Sequence, residues 1–299
     1  MMRILLTGRN GQVGFELQRA LAPLGEVIGV DQGQCNLADA GAVRALVREV
    51  QPQVIVNPAA YTAVDKAEHD IDLAMAINAT APGVLGEEAA RIGAWVVHYS
   101  TDYVFDGSKS EAYLESDSVN PRNVYGRSKL VGEQALVASG AHSLILRTSW
   151  VVGAHGANFA KTILQLAAER EALSVVADQF GAPTSAALLA DVTAQLIRQV
   201  QREGQAGFPF GLYHVTASGE TNWHDYAVYV VERALAAGKT LRLKPENIRA
   251  IATADYPLPA PRPANSRLDT AQFRQTFGLL LPEWQVGLNH VLARLLQTP

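Results

Sequence analysis

With a single cysteine, Cys35, among 299 residues, the chain can form neither an internal disulfide nor a thiolate zinc site. It has no apolar run long enough to span a bilayer, because its hydrophobic segments are short and interrupted, so no membrane partner is expected. Positive charge is not in excess. The 25 Lys and Arg stand against 29 Asp and Glu, for a net charge of -4, and the basic residues are scattered. Binding to a phosphate backbone calls for a basic stripe, so no nucleic-acid partner is expected either. At 48% hydrophobic and 18% charged, the composition is that of a globular chain with a sizeable core. The N-terminus runs from Met1 through Arg3 directly into a short apolar strand, without the longer apolar region and cleavage site of a signal peptide. A reducing, cytoplasmic setting is therefore expected.

Short β-branched runs at residues 4–6, 27–30, 54–56, 95–99 and 144–146 alternate with helical patterns at 13–21, 40–50, 71–91 and 124–138. Five strands separated by helices predict an α/β fold with a doubly wound parallel (Rossmann) sheet, whose ligands bind beyond the carboxyl ends of the strands. After Trp150 the alternation becomes irregular. Helices are predicted near 159–169, 186–202 and 223–236, with a strand at 212–215 and a surface loop at 204–211. Pro257, Pro259, Pro261 and Pro263 make 256–263 an extended connection. A second, smaller α/β substrate domain is expected from 151–181 and 206–299. Residues 1–150, with about 182–205, form the dinucleotide-binding domain.

The segment Thr7-Gly8-Arg9-Asn10-Gly11-Gln12-Val13-Gly14 follows the first strand and opens the first helix. Glycine at Gly8 permits the tight turn, Gly11 lets the backbone approach a pyrophosphate, and Gly14 lets the helix lie close to the strand. The helix start adds free N–H groups and partial positive charge. Asp31 ends the second strand, about where a carboxylate meets the adenosine ribose, which favours NADH. Arg9 inside the loop suits the 2′-phosphate of NADPH. Both cofactors stay open. Asn36 and Leu37 are placed to lie against the adenine, and Cys35 beside them reads as a small buried hydrophobe.

Tyr125 and Lys129 stand four residues apart at the start of a helix, so both side chains emerge on one face. A nearby ammonium and the helix dipole are expected to lower the phenol's pKa from about 10. Ser100-Thr101-Asp102 follows the fourth strand, at the sheet edge where a substrate would lie, with Thr101 suited to hold a carbonyl oxygen.

On these motifs the chain resembles the extended short-chain dehydrogenase/reductase family. The segments NPAAYTAVDKAE (57–68), STDYVFDG (100–107), YGRSKLVGE (125–133), RTSW (147–150), NFAK (158–161), DQFGAPT (178–184) and RPANSRLD (262–269) look like its dTDP-4-dehydrorhamnose reductase branch. That resemblance covers nearly the whole chain. It implies reduction of dTDP-4-dehydro-6-deoxy-L-mannose, a dTDP-sugar, to dTDP-L-rhamnose with NAD(P)H, the last step of dTDP-rhamnose biosynthesis. Tyr125 would be the proton donor, Thr101 would share the developing charge, and Lys129 would bind the nicotinamide ribose. By similarity Gly11, Gln12, Val13, Asp31, Asn36, Leu37, Ala60, Tyr61, Thr62 and Tyr99 contact the cofactor, and Thr101, Asp102 and Trp150 the sugar. Arg262 and Arg267 suit the substrate pyrophosphate, whereas His224 reads as a helix-surface residue.

Some members of that branch bridge a dimer through magnesium held by three carboxylates. Here only Glu16 stands at a matching position, with Ala187 and Arg294 at the other two, which counts against the metal. A monomer or a homodimer of another form is expected. Two other readings share the scaffold: a further sugar-nucleotide reductase or epimerase, and a non-catalytic nucleotide-binding regulatory subunit. Tyr103 follows Asp102 where a dehydratase would carry Glu, and Tyr125, Lys129 and Thr101 together argue for chemistry.

Overall fold

Strands buried on both faces must be almost continuously apolar, and the runs at Arg3–Leu6 (β1), Val54–Asn57 (β3), Trp95–Thr101 (β4) and Ser143–Thr148 (β5) meet that demand. With Glu26–Gly29 (β2) and Gly211–His214 (β10) they form a six-stranded parallel sheet in a computed structural model that describes residues 1–297. The strand order is β10-β5-β4-β3-β1-β2. The chain therefore reverses direction across the sheet between β1 and β3, which creates a crevice at their carboxyl ends.

Side-chain alternation divides the sheet into two apolar faces. Ile4, Leu6, Val54, Val56, Val97 and Leu146 pack against helices Gln12–Leu21 (α1) and Ala186–Glu203 (α8). Leu5, Ile55, Val96 and Ile145 pack against Ala40–Val50 (α2), Ala81–Ile92 (α5) and Val124–Ala138 (α6). The strand expected at 212–215 is the sixth strand of this sheet rather than part of the smaller region, because β10 pairs in parallel with β5 from Gly211↔Leu144 to His214↔Arg147. The loop expected at 204–211 is likewise partly interior, since Phe208 is buried in the same core.

A helix was expected to run unbroken through 71–91. Instead the chain forms short helices Val64–Ala67 (α3) and Ile71–Met75 (α4), a π-helical turn Ala76–Thr80, and then α5. Pro82 has no N–H to give the Asn78 carbonyl four residues back, so the regular ladder cannot pass. Asn78 is instead committed through its side chain: its Oδ1 accepts the Tyr61 N–H at 2.8 Å, and its Nδ2 donates to the Ser128 hydroxyl at 3.0 Å.

A second core gathers Phe159–Glu169 (α7), Trp223–Ala236 (α9) and Trp284–Leu296 (α11). Three two-stranded pairs accompany it: Val151–Val152 (β6) with Thr184–Ser185 (β9), Leu173–Val176 (β7) with Ile248–Ile251 (β12), and Phe180–Gly181 (β8) with Thr221–Asn222 (β11). Ala271–Phe277 (α10) returns to the large sheet, where Phe273 and Phe277 pack on Tyr213 of β10. No helix among the described residues is long and apolar enough to cross a membrane.

Candidate active site

The turn after β1 is shaped by what its glycines omit. Gly8 has φ +59°, and a Cβ there would stand 2.9 Å from Ala59 beyond β3. A Cβ on Gly14 would overlap the Gly8 carbonyl oxygen, so α1 can start directly above the turn only because both are glycine. Gly11 is the N-cap, and no side chain caps the first turn of α1, which leaves the N–H groups near Gln12, Val13 and Gly14 aimed into the β1/β3 crevice. That backbone fits a pyrophosphate. Gln12 also ties the turn to the second region, receiving the Asn158 amide at 3.0 Å.

Arg9 is not free to await a phosphate. Its Nη2 donates to Asp31 Oδ2 at 2.9 Å, its Nε to the same oxygen at 3.1 Å, and Asn10 adds a third bond at 3.0 Å. The Arg9 hydrogen bonds are the main reason the Asp31 carboxyl lies below its ordinary range. Replacing Asp31 by Ser releases Arg9 and removes a carboxylate that would repel a 2′-phosphate. We expect the kcat/KM ratio of NADPH to NADH to rise about tenfold or more, measured with both cofactors; an unchanged ratio would show that this pair does not set the preference.

The other expected cofactor residues fall on both sides of that turn. Asn36 accepts the Ala38 N–H, Leu37 packs on the α2 side of the core, and Cys35 is buried, which raises its thiol pKa. Ala60, Tyr61 and Thr62 follow β3 beside Gly8; Tyr61 donates its hydroxyl to Asp70 at 2.6 Å and packs in one apolar cluster with Tyr125. Tyr99 differs from expectation. Its ring lies in the core on the α1/α8 face and its hydroxyl pairs with Thr193 of α8, because alternation along β4 turns the side chain inward, while its carbonyl accepts from Lys129.

Asn123 caps α6, accepting the Gly126 N–H at 2.7 Å, and so fixes the first turn that carries Tyr125. Thr101, at the end of β4, is near enough to the Tyr125 phenol to act on its ionisation while its own hydroxyl donates to Asp102 at 3.0 Å, and the Tyr103 ring meets the Tyr125 ring edge-on at 5.5 Å. Here the structure corrects a sequence expectation. The Tyr125 pKa is not lowered but pushed up to about 12, chiefly by burial, with Thr101 opposing the shift. Lys129 does not offset this, for its Nζ donates to the Tyr99 carbonyl at 2.6 Å and lies 3.2 Å from His98 Nε2. Burial brings Lys129 itself down to about 8. Tyr125 thus holds its proton throughout the neutral range in the protein alone.

Asp102 is buried, accepts the Thr101 hydroxyl at 3.0 Å, and is pushed up to about 6 by its burial. Ser100 does not present a hydroxyl to substrate; it donates to Glu133, which forms a bidentate pair with Arg147 at 2.9 and 2.7 Å.

A cleft of about 500 Å³ opens beside this group, lined by Tyr103, Phe159, Gln179, Trp223, Leu258 and Arg262 among others. Trp150 is not part of that lining: with φ +48° it stacks behind Trp223, ring centroids 3.7 Å apart. Arg262 and Arg267 do not converge. Arg262 borders this cleft and pairs with Asp65 at 2.7 Å, whereas Arg267 borders a separate cavity and pairs with Glu220 at 3.0 Å. His224 sits on α9 between Asp225 and the Ile248 carbonyl. Tyr103, Gln179, Trp223 and the buried polar residues Asn57, Asn78 and His98 were not read from the sequence as site residues, since each has an ordinary structural role by residue type alone.

At Glu16, the one carboxylate matching a metal ligand, Arg294 Nη1 lies 2.7 Å from Oε1 and Arg19 lies 3.5 Å from Oε2. Two guanidinium groups already balance that charge, so the residues present do not fit magnesium, and no group of three metal-ligating side chains occurs among the described residues. Excess EDTA is expected to leave turnover and oligomeric state unchanged; a loss restored by Mg²⁺ would contradict this.

Comparison with known proteins agrees with this geometry. The family described as the RmlD substrate binding domain matches residues 2–297. A dTDP-4-dehydrorhamnose reductase of Shigella flexneri is 51% identical over 301 residues, covering 99% of each chain. Among solved structures, the dTDP-4-dehydrorhamnose reductase of Clostridium acetobutylicum superposes with TM-score 0.90 at 37% identity, covering 98% of this chain and 99% of that one. The Bacillus anthracis enzyme of the same name, in complex with NADP, superposes with TM-score 0.89 at 34% identity and the same coverage.

Proposed function

The chain belongs to the RmlD substrate-binding family of dTDP-4-dehydrorhamnose reductases, and on that basis we propose that it reduces dTDP-4-dehydro-L-rhamnose to dTDP-L-rhamnose with NADPH or NADH. The observation that carries the reading is the meeting of Tyr125 and Thr101 at the carboxyl end of β4, beside a glycine turn shaped for a dinucleotide.

The reduced nicotinamide, when bound, supplies a hydride to C4 of the keto sugar. Tyr125 delivers its phenolic proton to the oxygen as charge develops there, and the Thr101 hydroxyl shares that charge. Because burial keeps Tyr125 protonated, the acid is loaded before substrate arrives. Lys129, anchored on the Tyr99 carbonyl one helical turn from Tyr125, would hold the nicotinamide ribose. The backbone around Gly8, Gly11 and Gly14 would hold the pyrophosphate, and Asp31 would meet the adenosine ribose.

The neighbouring cleft suits the nucleotide sugar. Its Phe159 and Trp223 rings offer a surface on which a thymine base can stack, and Arg262 sits at its border toward Tyr103. Asp102 and Trp150 support the site through Thr101 and Trp223 respectively. A monomer or a metal-free homodimer in the cytoplasm is the setting we assign.

The test is oxidation of NADPH and of NADH by the purified protein with dTDP-4-dehydro-L-rhamnose, the product identified as dTDP-L-rhamnose. Cofactor binding without oxidation would instead favour a regulatory nucleotide-binding role.

A further inference from the structure

The apolar row Leu5, Ile55 and Val96 crosses β1, β3 and β4 on the face toward α2 and α5. Two residues further along the strands the same face turns polar, with Thr7, Asn57 and His98 side by side and none more than 1% exposed. Thr7 Oγ1 lies 2.5 Å from Asn57 Oδ1, Asn57 Nδ2 lies 3.0 Å from His98 Nδ1, and His98 Nε2 lies 3.2 Å from Lys129 Nζ. Buried polar groups are retained only when their hydrogen bonds are made, and apolar residues would fill these positions at less cost. The row therefore has a use. We infer that His98 is a positioning residue for Lys129, gripped in turn by Asn57 and Thr7, so that the phosphate turn and the active-site lysine share one buried hydrogen-bonded row.

The chemistry of the row follows from the imidazole. Burial holds His98 neutral, with a pKa well below its ordinary value, so one ring nitrogen donates and the other accepts. When Lys129 is an ammonium it donates to Nε2, which puts the ring proton on Nδ1 and requires the Asn57 amide to flip, so that Oδ1, which otherwise accepts from Thr7, receives that proton. When Lys129 is neutral, Nε2 carries the proton and donates to Nζ, and the Asn57 amide faces the other way. Each charge state of the lysine thus has its own satisfied arrangement. The charged one contains the stronger bond, so His98 favours the ammonium.

The other titratable groups near Lys129 are already engaged. Glu133, one turn along α6, is paired with Arg147 of β5, and Tyr125, one turn back, faces Thr101. On the elements packed against α6, Asp65 of α3 pairs with Arg262, Glu68 accepts the Val124 N–H, Asp70 accepts the Tyr61 hydroxyl, and the π turn presents uncharged Asn78 to Ser128. No carboxylate forms an ion pair with Lys129 among the described residues; the Glu133 charge one turn along favours its ammonium from a distance, and His98 and the Tyr99 carbonyl are the groups that touch it.

This inference rests on Lys129 contacting the cofactor, and two readouts separate it from the reductase reading. NADPH affinity, followed by quenching of protein fluorescence, and kcat/KM are each measured against pH in wild type, H98L, H98N and H98Q. Wild type is expected to weaken as Lys129 loses its proton near pH 8. In H98L that fall moves to lower pH by about one to two units, the worth of one hydrogen bond to a charged group. H98N reaches Asn57 but not Lys129 and moves with H98L. H98Q, whose Oε1 takes the place of Nε2, stays within about half a unit of wild type. Thr7→Val, at the far end of the row, shifts in the same direction by less, and carries the test should H98L not fold. Equal pH profiles across these variants, whatever their melting temperatures, overturn the inference. Should wild type bind NADPH with this pH dependence yet reduce no keto sugar, the reductase reading falls while the row stands.

Discussion

Replacing Tyr125 with Phe is expected to lower kcat by about two to four orders of magnitude, the usual worth of general-acid assistance, while NADPH affinity stays within about twofold of wild type. The ring remains, so its contacts with Tyr103 and with the cluster around Val124 persist and the fold is undisturbed. What is lost is the one proton placed beside Thr101. The unliganded phenol, pushed up to about 12, stays protonated across the neutral range, so wild-type binding should show no tyrosine ionisation there. Stopped-flow measurement of a single turnover separates the chemical step from product release. Wild-type turnover in Tyr125→Phe would remove the phenol from the mechanism and leave Thr101 or a water molecule as proton source.

The largest effect on stability is expected at Arg147. Its guanidinium forms two bonds to Glu133, both side chains are 4% exposed, and the Ser100 hydroxyl donates to the same carboxylate. Arg147 also lies over the Phe105 ring at 5.1 Å. Arg147→Met leaves the Glu133 carboxylate buried with only Ser100, at a cost of about 3–5 kcal/mol. For a chain of this size that corresponds to a fall in melting temperature of roughly 10 °C. The double variant Arg147→Met with Glu133→Leu should recover most of the loss, because a hydrophobic pair avoids the desolvation that the ion pair must overcome. Calorimetry of the three proteins decides it. A single variant that loses less than about 1 kcal/mol would mean that water or another group satisfies Glu133. The pair joins α6 to β5, so its loss should also loosen the helix that carries Tyr125 and Lys129.

Much of the active site was legible because its signals are local. A glycine turn between a strand and a helix is recognisable from eight consecutive residues, and Tyr125 and Lys129 share a helix face through spacing alone. The six parallel strands follow from short apolar runs, five of them read directly. Residues that act through neighbours distant in sequence were not legible. Tyr99 was expected at the cofactor, but alternation along β4 turns its ring toward Thr193, 94 residues away. The stack of half-buried Trp150 on Trp223 could not be read from the sequence, and neither could the pairing of Arg9 with Asp31, which bears on the choice between NADH and NADPH that the motif left open.

Sequence by itself determined the chemical groups and their local frame: a dinucleotide turn at Gly8 to Gly14, a phenol and an amine one helical turn apart, and a hydroxyl at the end of a strand. Tertiary structure alone decided their state. Burial, not the nearby amine, governs the Tyr125 phenol, and Lys129 turns away toward Tyr99 and His98. It also decided that β10 closes the large sheet and that Arg294 takes the Glu16 carboxylate. The physical reason is the same in each case. Propensity and spacing act over a few residues, whereas desolvation, strand register and ion pairing depend on segments that meet only when the chain has folded.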